Sequence, residues 1–464
     1  TDGDYILDVN EFLAGTQPTV VDAPPAVIFD PAPGDYEDAQ SIELQNLALP
    51  DYIYYTTDGS EPSLFSSQYD AATPIDTAAD ELLTIRAKVI LPDGTESVES
   101  SGTYRVGVYA DTPETVYYGW GTASGGIGYV YNVSELTTVT NLYSPKCYLT
   151  LGDGWIVNGV FKVDASAASS PVYYGLTQTY VSGVQQPIEG YSTDASTFYT
   201  SGSARNYRAV GSGWIHSFES FEPDTGNTSS QTIYLVSLAF ELQSNDTNFP
   251  RWLYTTENTD QFGRTYNDSP PGRIYPLGAG WVSSATGAMQ ADTSTAAGEV
   301  YFGLAGSQSS LLADTHILSN YAAAFPLSQN KVRMGSGWGE GGTMEPDRSQ
   351  SPPDLYYGEK QFSDGTSARV YTTQPNDIST LSTRRLVSVG PAYPTSALTY
   401  EISWLNNGPE DVYMGTENIN PAQMAHLTDF LAYDQSELAS SPVATNEGLG
   451  WIENNTFIEY LGSG

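Results

Sequence analysis

Five tryptophans recur in one setting, each preceded by Gly-x-Gly or its shortened form: Trp155, Trp214, Trp281, Trp338 and Trp451. The first four follow Leu151-Gly152-Asp153-Gly154, Val210-Gly211-Ser212-Gly213, Leu277-Gly278-Ala279-Gly280 and Met334-Gly335-Ser336-Gly337; the last follows Gly448-Leu449-Gly450. A sixth copy, Val389-Gly390-Pro391-Ala392-Tyr393, carries Tyr in the Trp slot. An aromatic face stacks on the apolar face of a pyranose, while nearby amides and carboxylates bind its hydroxyls. Several such shallow sites on one chain would gain by avidity. Tyr118, Tyr174 and Tyr357 are further candidates, because they face the opposite side of their strands from Tyr117, Tyr173 and Tyr356. Tyr117, Tyr173, Tyr301, Tyr356 and Tyr413 read as core. The tryptophans also have a purely structural reading, as signature residues packed between repeated units. On the sugar reading, the unit holding Tyr393 is expected to be the weak or silent one.

Asp2, Asp4, Asp8 and Glu11 fall at the spacing of positions 3, 5, 9 and 12 of a calcium loop, where oxygen ligands converge on a hard cation. Tyr5 stands where that loop wants glycine, so an acidic terminus without metal is the other reading. Catalytic constellations are missing from the sequence. His216, His316 and His426 share no spacing, and no Gly-x-Ser-x-Gly, His-Glu-x-x-His, P-loop or Cys–His pair occurs. Carboxylates are plentiful, so a polysaccharide lyase or glycosidase stands as an alternative to simple binding.

These residues sit in a chain of 464 residues with 17 Lys+Arg against 55 Asp+Glu, a formal net charge of −38. Such a field repels phosphate, which argues against nucleic acid as partner. No apolar run is long enough to span a bilayer. With 34 Tyr and 44 Gly against 16% charged residues, the composition favours strands and turns. The single Cys147 allows no internal disulfide and reads as a small buried residue. The start at Thr1 suggests part of a longer, multidomain chain, and the expected setting is extracellular or a bacterial cell surface.

Three regions follow. Residues 1–24 hold the acidic stretch and a Pro-rich linker. Residues 25–108 read as strands: Ser41–Leu44, Tyr52–Tyr55, Leu83–Ile90 and Ser101–Val106, with turns at Asp58-Gly59-Ser60-Glu61-Pro62 and Pro92-Asp93-Gly94. In residues 109–464 the aromatic slots fall at 155, 214, 281, 338, 393 and 451, steps of 55 to 67 residues. They alternate with a tyrosine phrase, Val116-Tyr117-Tyr118-Gly119 and its five later copies. Four short strands per unit suggest a β-propeller blade. Each unit is read from Gly-x-Gly-Trp, with the tyrosine phrase third and a separate fourth strand such as 206–210 or 273–277. An Asp nine to eleven residues after Trp (Asp164, Asp224, Asp292, Asp347) is expected to cap a turn. Six copies of each phrase, offset at the two ends, imply an all-β chain: a small β-sandwich, then a six-bladed propeller closed by N- and C-terminal half-blades.

The string Tyr54-Tyr55-Thr56-Thr57-Asp58-Gly59-Ser60-Glu61-Pro62 and the run Thr84–Ile90 resemble the β-sandwich module at the C-terminus of chitobiase and β-hexosaminidase enzymes, over about residues 25–107. That resemblance implies an accessory spacer. The Gly-x-Gly-Trp and tyrosine phrases resemble tachylectin-type β-propeller lectins over about 113–464, and the first acidic stretch resembles thrombospondin type-3 and EF-hand-like calcium repeats. The lectin resemblance implies multivalent binding of a glycan or polysaccharide, in an adhesin or a targeting module. The competing class is a protein-binding or structural propeller without sugar sites.

Overall fold

The computed structural model describes residues 24–460, apart from 47–48, 93, 122–125, 137–145, 182–183, 199, 202–203, 206, 239–250, 259–273, 306–314, 326, 379–386, 403–408, 417–428, 436–437 and 439–444. Asp2, Asp4, Asp8, Glu11 and His426 therefore lie outside the described residues. The described chain is all-β, with short 3-10 turns between strands. It divides into two compact units, residues 1–115 with 153–164, and residues 116–152 with 165–464.

The first unit holds a sandwich of two sheets. One has three strands, Ile28–Asp30, Ser41–Gln45 and Ile75–Asp76. The other has five, in the order Gly34–Tyr36, Ser100–Val106, Glu81–Val89, Ile53–Thr56, Ser67–Gln68. Period-two alternation does the sorting: Ile42 and Leu44 point inward while Ser41 and Glu43 are exposed. Ile42, Leu44, Ile53, Ile85, Val89 and Tyr104 share one core. The Tyr104 hydroxyl, inside that core, donates to the Pro31 carbonyl at 2.6 Å. In the Asp58-to-Pro62 turn, Asp58 accepts from the Ser60 backbone N–H and hydroxyl at 3.0 and 2.6 Å, and Gly59 takes φ 83°. All four strands expected from the sequence are present.

Beyond residue 113 the described residues form six four-stranded sheets, numbered 1 to 6 along the chain, and a two-stranded ribbon of Thr200–Ser201 and Ala204–Arg205. In each, a tyrosine strand comes first: Glu114–Trp120, Ser170–Val181, Gln231–Leu238, Gly298–Ala305, Asp354–Gln361 and Glu410–Thr416. A second strand pairs with one edge of it, for example Val184–Ser192 or Ser367–Thr372. Next comes a glycine strand: Tyr148–Val157, Tyr207–Ser217, Ile274–Ser284, Lys331–Gly339, Val387–Pro394 and Thr445–Glu453. It pairs with the other edge of the tyrosine strand and then with a short fourth strand.

The spatial order is second, first, third, fourth. The expected blade is corrected in two respects. Residues 207–210 and 274–277 are the opening of the glycine strand, not a separate fourth strand. Sheets 1 and 6 are each built from one contiguous segment, Glu114–Val163 and Glu410–Glu459, so no sheet is assembled from two half-blades. The reason is register. Each tyrosine phrase pairs with the glycine turn that follows it, as in Val172↔Gly211 and Val300↔Gly335, not with the one before.

Both glycines of Gly-x-Gly have a steric cause. The pairing slips by one residue between Val172 and Tyr173, opposite Gly211, and the same bulge recurs in sheets 3 to 6. Gly211 takes φ 117° there, a left-handed value that a side chain resists. The second glycine lies against the fourth strand, and a Cβ on Gly213 would sit 2.0 Å from the Glu222 carbonyl oxygen. Aliphatic residues, rather than the aromatics, hold the centre of each sheet. Val116, Val172, Ile233, Val300, Leu355 and Val412, each just before a tyrosine slot, are all 0% exposed. Burying such a side chain stabilises by about 1.5–3 kcal/mol.

Consecutive sheets are tied by a repeated pair of bonds. Ser192, Thr255, Ser319 and Thr372, each closing a second strand, are 0% exposed. The Thr255, Ser319 and Thr372 hydroxyls donate to Ala209, Pro276 and Arg333 carbonyls of the preceding sheet at 2.6, 2.6 and 2.8 Å, while Ser192 accepts from Thr150 N–H at 3.1 Å. The following residue adds a backbone bond: Thr193 N–H to Thr150 O (2.8 Å), Thr256 to Ala209 (3.2 Å), Asn320 to Leu277 (2.7 Å) and Thr373 to Arg333 (3.0 Å).

Candidate functional sites between consecutive sheets

The aromatic slot is first a staple. The Trp155 indole N–H donates to the Asp111 carbonyl at 2.8 Å, Trp214 to Ala167 at 3.0 Å, Trp281 to Thr228 at 3.2 Å and Trp338 to Thr295 at 3.1 Å. Each acceptor lies in the loop leading into that sheet's own tyrosine strand. Tyr393 makes the same tie through its hydroxyl, to Gln350 O at 2.7 Å. Trp155 is buried, against Tyr109 at 5.2 Å between ring centroids, whereas Trp214, Trp281, Trp338 and Trp451 keep part of the ring exposed.

The recurring Asp organises the same loop, as expected of a turn cap. Asp224 accepts from Asn227 N–H (3.0 Å) and the Ser169 hydroxyl (2.6 Å); Asp347 accepts from Ser349 N–H (3.1 Å). Ser230 makes the matching short bond to Asp292. These hydroxyl donors, Ser169, Ser230 and Ser349, are the chief reason the three carboxyls are held below the usual carboxylate range.

The tyrosine candidates separate. Tyr118 and Tyr174 are only 7% exposed. Tyr118 is stacked on Phe218 at 4.3 Å, and Tyr174 packs edge-on against Tyr191 at 4.9 Å. Neither ring has a free face for a sugar. Tyr357 is half-buried, 4.7 Å from Tyr371. Conversely, Tyr117, Tyr173, Tyr301, Tyr356 and Tyr413, read from sequence as core, all keep partial exposure. The inversion arises because Phe218 of sheet 2 covers Tyr118, and Tyr191, whose hydroxyl accepts from Ala285 N–H of sheet 3, covers Tyr174. Cys147 is buried, as expected. His216 bonds Glu222 at 2.9 Å on an exposed hairpin, and His316 stacks on Phe302 at 5.5 Å; they do not meet.

Two clefts open at matching places. The one between sheets 4 and 5 is about 390 Å³. The first glycine turn of sheet 4 (Gly335, Ser336) forms one wall, and Asp354, Tyr356 and Tyr393 of sheet 5 the other. Glu299, Asp347, Gln350, Thr373 and Gln374 complete the polar lining. Glu299 accepts from Gly335 N–H at 3.0 Å, and burial pushes its carboxyl up. The second cleft, between sheets 2 and 3, is about 280 Å³. Gly211, Ser212, Gln231, Thr256 and the Trp281 ring line it. Carboxamides, hydroxyls and a half-exposed ring in a shallow groove are the groups that bind a sugar. Tyr393 and Trp281 are thus the aromatic slots that open onto these clefts, so the Tyr393 copy, expected from its sequence to be the silent one, instead lines a cleft.

Glu299, Asp354, Thr256, Thr373 and Gln374 were not among the sequence candidates. The repeated Tyr191-Ser192-Thr193, Tyr254-Thr255-Thr256 and Tyr371-Thr372-Thr373 could have signalled the threonines. Among the described residues no group of three or more His, Cys, Asp or Glu is gathered to hold a metal ion. Among them, too, no helix is long and apolar enough to cross a membrane.

Residues 31–103 match the chitobiase/beta-hexosaminidase C-terminal domain family. The match covers most of the sandwich described above and gives the chain a carbohydrate-related module. No curated protein and no solved structure matches the chain.

Proposed function

We propose that the chain is a multivalent carbohydrate-binding module, displayed outside the cell, that holds glycans in the clefts between consecutive sheets. The observation that carries this reading is recurrence. The two clefts occupy the same place at two junctions, each with a glycine turn on one side and an aromatic slot on the other. A ring at Trp281 or Tyr393 would take the apolar face of a pyranose, and Gln231 or Gln350 and Gln374 its hydroxyls. The sandwich at 31–103 serves as spacer, and its family is compatible with a glycan-directed chain. Calcium is a proposal for Asp2, Asp4, Asp8 and Glu11 alone.

A glycan array followed by calorimetry tests this, with and without added calcium. Binding of at least one oligosaccharide is expected, with Tyr393→Ala and Trp281→Ala each weakening it about tenfold at its own cleft, the loss of one stacked ring. An array blank under both conditions would sink the lectin reading. One observation favours a second reading. The cleft between sheets 4 and 5 brings together Glu299, pushed up, and Asp347, held down, the division of roles found in a glycosidase acid and its ionised partner. Release of reducing ends from a bound polysaccharide, lost in Glu299→Gln, would select that reading over binding alone.

A further inference from the structure

The junction between sheets 3 and 4 breaks the pattern of its neighbours. Thr256 and Thr373 turn their methyls toward the first glycine of the preceding sheet, 3.8 Å from an ideal Cβ on Gly211 and 3.3 Å from one on Gly335. Those glycines take φ 117° and 118°, and both junctions hold a cleft. Thr193 repeats the arrangement beside Gly152, at 3.7 Å. Between sheets 3 and 4 the same position is Asn320. Its carboxamide is anchored on the glycine strand of its own sheet, donating to Gly337 O at 2.9 Å and accepting from Gly339 N–H at 2.7 Å, and this holds it against sheet 3. Gly278, the first glycine there, lacks the left-handed φ. A Cβ on it would lie 2.9 Å from Gly339 O and 3.0 Å from Asn320 Oδ1. The sheets therefore touch here, whereas the junctions of sheets 2–3 and 4–5 hold clefts. Outside this contact, Tyr321 bonds Thr232 at 3.3 Å. The corresponding positions between sheets 4 and 5, Gln374 and Glu299, instead line the cleft.

We propose that the residue after the buried strand-end hydroxyl decides whether a junction binds, and that Asn320 closes the junction of sheets 3 and 4. Thr256 and Thr373 keep theirs open to a hydroxyl-rich ligand. This rests on the carbohydrate-binding reading and says which junctions are live. Two arms test it on the full chain. In the first, N-acetylchitohexaose, maltohexaose and mannohexaose are titrated by calorimetry into the wild type, Thr256→Asn, Thr373→Asn and Asn320→Thr. Each Thr→Asn change should remove one site from the stoichiometry, and Asn320→Thr should add one. Unchanged stoichiometry in all three variants overturns the proposal while leaving the binding reading intact. The second arm needs no ligand and survives failure of that reading. Hydrogen exchange at the Gly339 amide should rise about tenfold in Asn320→Thr, the equivalent of one lost hydrogen bond, with other sheet 4 amides unchanged. Equal exchange at Gly339 in the two proteins overturns the anchoring of Asn320 on which the closed junction rests, and with it the proposal.

Discussion

At the scale of single residues, the phrase that marks each repeat contains three separable functions. In every sheet but the third the first glycine supplies a left-handed backbone conformation, while the second supplies clearance and the aromatic a hydrogen bond. Gly213→Ala should be strongly damaging, because the Glu222 carbonyl at 2.0 Å is backbone and cannot rotate away. A loss of about 3 kcal/mol or more in denaturant unfolding is expected. Gly211→Ala, which adds only left-handed strain, should cost about 1–2 kcal/mol. Ala392 occupies the second-glycine position of sheet 5 and is 1% exposed, so that sheet has already accommodated a methyl. Ala392→Gly should therefore lose stability slightly, by roughly 0.5–1 kcal/mol. Trp214→Phe keeps a ring and removes the donor to Ala167; about 1 kcal/mol should be lost without any change in sugar binding at the clefts.

At the scale of elements, the strand-end hydroxyls join one sheet to the next. Ser319→Ala would remove the bond from a fully buried hydroxyl to the Pro276 carbonyl, costing about 1 kcal/mol, while the exposed Ser220→Ala should be close to neutral. These hydroxyls also show what the sequence concealed. The tyrosine and glycine strands were legible because Val-Tyr-Tyr-Gly and Gly-x-Gly-Trp repeat with little change. The second strand was not: Val184–Ser192 and Arg251–Thr255 share a closing Tyr-Ser or Tyr-Thr, but Thr315–Ser319 keeps only the final hydroxyl, and nothing in their alternation marks them. Missing that strand made residues 207–210 look like an independent fourth one, and shifted the apparent start of every unit by one phrase. Sandwich strands in the first unit were easier to find because Ile42, Leu44, Ile85 and Val89 alternate with polar neighbours and tight turns separate them. Of the candidate site, the slots of Trp281 and Tyr393 were visible. Glu299 and Asp354 were not, since a cleft between two sheets is lined by residues distant in sequence.

At the scale of the whole molecule, charge and burial set a pH window. Asp224, Asp292 and Asp347 have lowered values in the folded state, so their contribution is complete above the unfolded carboxylate value near about 4 and is lost as pH falls through the folded values. Tyr104 moves the other way: burial pushes it up to about 12. Its contribution is complete below the unfolded phenol value near about 10 and disappears as pH rises through the folded one. Circular dichroism should therefore show a plateau of stability between about pH 5 and 9, with unfolding in acid and in strong base. A net charge of −38 adds repulsion between surface carboxylates, so the melting temperature at pH 7 should rise on going from low to moderate salt. A melting temperature that falls with added salt would contradict this.

Each of the six sheets is spun from one uninterrupted stretch, and in sheets 2 to 5 the aromatic slot ties back to a loop of the same stretch. Nothing inside a sheet has to be borrowed from the far end of the chain. A gene encoding such a molecule can gain or lose one whole sheet by unequal recombination between neighbouring repeats, and the reading frame of strands on either side is preserved. On the proposed carbohydrate reading, the number of binding junctions would then change by whole steps, with Thr or Asn at a single codon setting which of them count.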